Sequence, residues 1–423
     1  MNHNPDIYLL YEYMDKIPLS YRVKVRLDEK IDVELLKKSV EESIGRFPYY
    51  RVQVGVDDEG NYTLTPNDRP IAVAPEQDRR ILLGSEETNG HLFAITYRDD
   101  TIWFNCAHAV CGAYGFFFWI KTTLYQYMTK KYGTIEPPAD IKLPGTEVTD
   151  AELFFPKAED LPKDEPIVRY NGGDTNLAIG RMLKFLLNPF VKDNYYYEIE
   201  IPTDTFIQYC TSTDGSPYTV LSAMMYKSLT KVFKEKEGTF LSGRIAADYR
   251  DDIGATGSYR DLVRFIHVKY EWNMKDESIE KLNMRARGAL VSQNQPELSC
   301  ERFVRLDNVH KGVDAQPNLK LKKKYAKQNS TFRSDPRDVF TISYVGKMDF
   351  GGMEEHIQSI YTITDGDLFL EVNALKKSFN INYQLINKDT APLERFLEVL
   401  REKGIPYKVS ERQTRYLPKI KLP

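Results

Sequence analysis

One histidine in this chain stands where its neighbours could put it to chemical use. His108 lies in the stretch F-N-C-A-H-A-V-C-G-A-Y-G (104–115), where a strand-like run gives way to a turn of small residues and then to aromatics. That placement sets an imidazole at a sheet edge. Neutral imidazole, with an ordinary pKa of ~6.5, is well matched to taking a proton from a hydroxyl or amine near neutral pH, which makes general base the sharp reading. The plain reading is a hydrogen-bonded core histidine. Cys106 and Cys111 flank it, but a structural zinc site needs four tetrahedral ligands and no fourth is nearby, so no metal is expected. The two cysteines read as small apolar fillers under the turn.

The elements that must position His108 follow from hydrophobic periodicity. Residues 21–27 alternate Tyr, Val, Val and Leu with Arg22, Lys24 and Arg26, predicting a strand with one buried face. Asp32 then caps a helix carrying Val33, Leu36 and Val40, stopped by Gly45 and Pro48, and Val52, Val54 and Val56 resume the alternation. Runs at 91–97 and 101–108 flank the hairpin connection Arg98-Asp99-Asp100, and His108 closes the second of them. A helix marked by Phe117, Ile120, Leu124 and Met128 ends before Gly133. Between Ile135 and Pro166 lie five prolines that interrupt regular structure and predict a long crossover.

Beyond the crossover the same grammar returns. A strand is predicted at 195–201, a helix opened by Pro202-Thr203-Asp204 and an apolar helix at 220–233. Strands follow at 240–246, 262–270, 339–345 and 378–385, with helices at 278–291, 300–309 and 391–402. Two weakly duplicated halves of alternating strands and helices predict two similar α/β sandwich domains, 1–165 and 166–423, with a ligand channel between them.

Composition narrows the function. With 423 residues, 42 % of them apolar, there is material for substantial cores. Lys plus Arg (58) against Asp plus Glu (61) leaves a net charge of -3, which gives no basic field for nucleic acid. The longest apolar stretch, 106–120, is shorter than the ~20 residues of a membrane-spanning helix. Four scattered cysteines and an acidic N-terminus without a basic cluster fit a reducing cytoplasm.

The order of several segments resembles the chloramphenicol acetyltransferase-like superfamily of CoA-dependent acyltransferases, which includes standalone alcohol acetyltransferase-like proteins and condensation domains. His108 matches the histidine of its HxxxDG motif, and Arg46-Phe47-Pro48 is similar to its "R-x-P" segment. Ala247-Asp248-Tyr249-Arg250 resembles the segment carrying a family arginine, and Ile342-Ser343-Tyr344-Val345-Gly346 is similar to its "S-N-x-G" strand. The motif itself departs from the pattern: it reads H-A-V-C-G-A, with Gly112 in place of the family aspartate and Ala113 in place of its glycine. In the family that aspartate pairs with an arginine, so a lone Arg250 needs another partner, since breaking a buried pair costs ~3–5 kcal/mol. Either Asp248 or Asp251 pairs with it locally, or Arg250 captures an anionic group on the substrate.

The resemblance implies an acyl thioester, on CoA or a carrier-protein phosphopantetheine, entering the channel opposite a small alcohol or amine acceptor, with no tightly bound cofactor. His108 would deprotonate the acceptor, and Ser343 or Tyr344 would donate to the developing oxyanion. Two alternatives remain open: an inactive member of the fold acting as a binding or accessory protein, and a condensation-type enzyme on carrier-bound substrates. The lysine block 320–324 with Lys327 reads as a solvated surface segment that could instead meet CoA phosphates or an acidic carrier protein. Gly172-Gly173 and Gly254-Ala255-Thr256-Gly257 read as turns, and the aromatic run Phe116 to Trp119 as core.

Overall fold

The architecture comes from a computed structural model, which describes residues 5–161, 194–235, 240–329 and 338–423. Among them no helix is long and apolar enough to cross a membrane. The first sheet grows from the expected alternation. Strand β1 (Ser20–Leu27) buries Tyr21, Val23, Val25 and Leu27 on one face. Its other face is covered over part of its length: Arg22 pairs with Glu76 at 2.7 Å and Lys24 reaches Glu198 of the second half at 2.7 Å, while Arg26 stays exposed. The one-sided strand suggested by alternation is therefore covered on both faces at Arg22 and Lys24.

Helix α1 (Val33–Ile44) starts where Asp32 accepts the Leu35 N–H. The ribbon of β2 (Val52–Val56) and β3 (Tyr62–Pro66) follows, then the short strands β4 (Val73–Pro75) and β5 (Leu82–Leu83). Strands β6 (Phe93–Arg98) and β7 (Thr101–Ala107) form the expected antiparallel hairpin. Helix α2 (Ala113–Tyr132) ends at Gly133, and its Phe116, Phe117, Phe118 and Trp119 are all buried. Trp119 donates to Ser43 Oγ of α1 at 3.0 Å, which fixes the two helices on one side of the sheet.

In the second half, β8 (Asn194–Pro202), β9 (Phe240–Asp248), β10 (Val263–Glu271), β11 (Phe340–Lys347), β12 (Ile357–Ile363), β13 (Phe369–Ala374) and β14 (Ser378–Leu385) alternate with helices. These are α3 (Thr203–Ser212), α4 (Pro217–Thr230), α5 (Ile279–Gln293), α6 (Pro296–Asp314), α7 (Leu319–Asn329) and α8 (Ala391–Glu402). With β15 (Lys408–Val409), six of these strands make a mixed sheet ordered β10-β9-β11-β13-β14-β8-β15. Leu221, Leu282 and Phe396 of the helices pack on Ile342, Leu370 and Ile381 of the strands.

Two exchanges tie the halves together. Strand β12 leaves its own half and pairs antiparallel with β1, giving the first sheet the order β12-β1-β7-β6-β4. Near the C-terminus β16 (Gln413–Arg415) pairs with β8, and β17 (Lys419–Ile420) pairs with β5. The expected partition at 165/166 and Gly172-Gly173 lie outside the described residues. The lysine block lies in α7, where Lys320, Lys324 and Lys327 are exposed, while Lys322 is buried and its ammonium donates to the Asp314 carbonyl at 3.0 Å, capping α6.

Candidate functional site

His108 follows the last residue of β7, held by its backbone N–H donating to the Leu19 carbonyl at 3.0 Å. Its ring leans on Tyr21, with centroids 4.6 Å apart, and its side chain is 13 % exposed. Burial pushes the imidazole pKa below its ordinary value, and a nearby carboxylate opposes the shift only in part. The ring is therefore neutral near pH 7 and able to accept a proton.

That carboxylate belongs to Asp261, whose Oδ2 lies 3.6 Å from His108 Nδ1. Asp261 comes from the other half, on the loop between β9 and β10. A side chain built at Gly112 would meet it, since a Cβ there would stand 3.0 Å from Asp261 Oδ1 and 3.1 Å from its Cγ. An aspartate from a distant segment thus occupies the space over the motif position. Gly115 permits the approach: a Cβ at this position would fall 2.0 Å from the Tyr259 carbonyl oxygen.

The loop is anchored on both sides. Tyr259 stacks on Tyr49 at 4.2 Å, its N–H donates to the Glu152 carbonyl, and Ser258 Oγ donates to the Phe154 carbonyl at 2.7 Å. Arg46, from the segment resembling "R-x-P", pairs with the buried Glu152 at 2.6 Å and so fastens the crossover beneath the loop. Behind Asp261 lies Asp6, whose Oδ2 accepts the Asp261 N–H at 3.3 Å. Burial pushes Asp6 up to about 7, a shift that Arg260 moderates and the Asp261 charge reinforces.

Arg250 is committed to the protein. It is 3 % exposed, and its guanidinium pairs with Asp248 and donates to the Ser258 and Arg260 carbonyls. It also lies 4.2 Å from the Tyr114 ring. Each guanidinium nitrogen thus has a partner within the protein, and the ion pair with Asp248 is the local pairing expected as the alternative to substrate capture. Asp251 instead accepts from Thr256.

A cavity of about 270 Å³ lies between the halves, and His108, Gly112, Ala113, Arg250, Ser343 and Tyr344 all line it, with Asp6, Asp261 and Glu371. Ser343 and Tyr344 are half-buried on β11. Ser343 stands opposite Glu371 in the strand pairing, whereas the Tyr344 ring packs against Tyr218 and Phe379. Cys106 and Cys111 are buried beside Tyr21, whose hydroxyl lies 3.2 Å from the Cys111 carbonyl. Sequence reasoning missed Asp6, Asp261 and Glu371. The unpaired motif position at Gly112 was the one signal that a carboxylate had to come from elsewhere.

The sequence matches no family model and no curated protein. Solved structures do match over nearly its whole length. TRI101 of F. sporotrichioides, solved with coenzyme A and T-2, is 11 % identical with a TM-score of 0.59, covering 95 % of this chain and 98 % of its own. The first condensation domain of the CDA synthetase is 11 % identical with a TM-score of 0.55, and 96 % of each chain is covered. TRI3 trichothecene 15-O-acetyltransferase of Fusarium sporotrichioides is 12 % identical with a TM-score of 0.51, covering 95 % of this chain and 93 % of its own. The chain thus has the chloramphenicol acetyltransferase-like, condensation-domain fold.

Proposed function

We propose that this protein is an acyltransferase, moving an acyl group from the thioester of CoA or a carrier-protein phosphopantetheine onto a hydroxyl or amine acceptor, with His108 as general base. The observation that carries this reading is the neutral His108 imidazole on the wall of a cavity between the halves, with a carboxylate beside its Nδ1. The scaffold is also that of proteins solved with coenzyme A.

In this reading Asp261 favours the proton on Nδ1 and leaves the lone pair on Nε2 for the acceptor. As that nitrogen takes the acceptor's proton, the growing imidazolium charge faces Asp261. The acceptor oxygen or nitrogen attacks the thioester carbonyl, the C–S bond breaks, and the departing thiolate regains the proton from the imidazolium. A thiolate leaves readily, so no acyl-enzyme is required. Ser343 or Tyr344 donates to the carbonyl oxygen as it becomes an oxyanion, and Gly112 and Ala113 shape the turn.

The test is thiol release from acetyl-CoA with a panel of alcohols and amines, followed by the same assay with carrier-bound acyl donors, comparing the parent with His108→Ala. Acceptor-dependent release by the parent, lost in the variant, supports the proposal. Equal background with every donor favours a binding protein.

A further inference from the structure

A second carboxyl group on the cavity wall is placed to act on the oxyanion donor rather than on the base. Glu371 stands directly opposite Ser343 in the parallel pairing of β13 with β11 and is 4 % exposed. It shares the cavity wall with Ser343, its neighbour across the strand pair, and its Oε1 accepts from Thr364 Oγ1 at 2.9 Å. No cation pairs with it among the described residues. The charged groups nearest this network are otherwise engaged: Arg415 donates to the Thr364 carbonyl at 2.7 Å and to Gln384 Oε1, and Asp365 accepts the Leu19 N–H. Gln384 Nε2 reaches Thr364 Oγ1 at 3.4 Å, and Asn382 is the cross-strand partner of Glu371 on β14. Arg244, on the strand beyond β11, donates to Thr341 at 2.9 Å, and His108 lies on another part of the wall.

A carboxyl and a hydroxyl set side by side can hydrogen-bond in two ways. As the carboxylate, Glu371 only accepts, so Ser343 must donate its hydrogen to it and has none left for a substrate. As the acid, Glu371 supplies the hydrogen and Ser343 accepts. We propose that Glu371 is a positioning residue which, as the carboxylic acid, donates to Ser343 Oγ and so frees the serine hydrogen for the thioester carbonyl oxygen as it becomes an oxyanion. This rests on the acyl-transfer reading above and selects Ser343 over Tyr344 as the donor. Burial pushes the Glu371 pKa up to about 7, which keeps the acid form populated near neutrality.

The experiment has a kinetic arm and a spectroscopic arm. Glutamine keeps a donor at this position, so Glu371→Ala should lower kcat about tenfold while Glu371→Gln restores it to within about threefold and removes the fall in rate above about pH 7. Ser343→Ala should lose about a hundredfold, and adding Glu371→Ala to it should cost nothing further. In infrared difference spectra, a carboxylic-acid carbonyl band should fade between about pH 6 and 9, be missing in Glu371→Gln and shift in Ser343→Ala. A band that ignores Ser343, or a Glu371→Gln enzyme that keeps the alkaline fall, overturns the inference while leaving His108-dependent turnover intact. Turnover insensitive to His108→Ala instead overturns the acyl-transfer reading, and the oxyanion role of Glu371 with it.

Discussion

Asp261→Asn isolates the contact between the second half and His108, because it removes the charge and keeps the shape that fills the space over Gly112. Two unit charges 3.6 Å apart interact by about 5 kcal/mol at an effective dielectric of ~20 and by about 1 kcal/mol in water. The side chains are 13 % and 17 % exposed, so solvent screens the pair, and about 1–3 kcal/mol is the expected range. Losing this charge should lower the His108 pKa further, because the carboxylate is what opposes the effect of burial. The same energy is missing when the imidazolium forms during proton transfer, so kcat/KM should fall about ten- to a hundredfold. The assays are an NMR titration of the six histidines, with His108→Ala assigning the resonance, and thiol release under identical conditions. A His108 titration within a few tenths of a unit of the parent, together with an unchanged kcat/KM, would refute the pairing.

Three other outcomes follow from the same geometry. Gly112→Asp restores the family residue but puts a second carboxylate against Asp261, so the single variant should lose activity and stability, and adding Asp261→Ala should recover part of both; calorimetry and thiol release measure the exchange. Arg250→Ala should lower unfolding stability by about 1–3 kcal/mol, since it leaves two buried carbonyls and Asp248 without their donor, while the KM for acyl-CoA in the folded fraction changes less than about twofold. A large rise in KM at unchanged stability would revive substrate capture. Glu371 titrates at about 7 in the folded chain against an ordinary 4.5, so the native state holds the extra proton and stability falls as pH rises from about 4.5 to 7. Glu371→Gln should therefore gain up to about 3 kcal/mol over the parent at about pH 8.5 and little at about pH 4, read by denaturant unfolding at both values.

The residues of the site were legible in proportion to how local their signals are. His108 stood out because strand alternation ends there and a small-residue turn begins, and the structure does place it just past β7. Asp32 as a cap and the helix over residues 391–402 were equally visible, since both depend on neighbours a few positions away. Strands β12 and β13 were overlooked. The partner of β12 is β1, more than three hundred positions earlier in the chain, and no local pattern declares such a pairing.

The sequence by itself determined the alternating elements of the two halves, the prolines that separate them and the one imidazole at a strand end, because periodicity and backbone stereochemistry act over a few residues. Only the tertiary structure decided what faces that imidazole. Gly115 lets the Tyr259 backbone approach, the approach brings Asp261 over Gly112, and Glu371 reaches Ser343 through a strand pairing. Carboxyl groups so placed take their protonation from burial and from charges supplied by remote segments, and those quantities exist only once the chain has closed on itself.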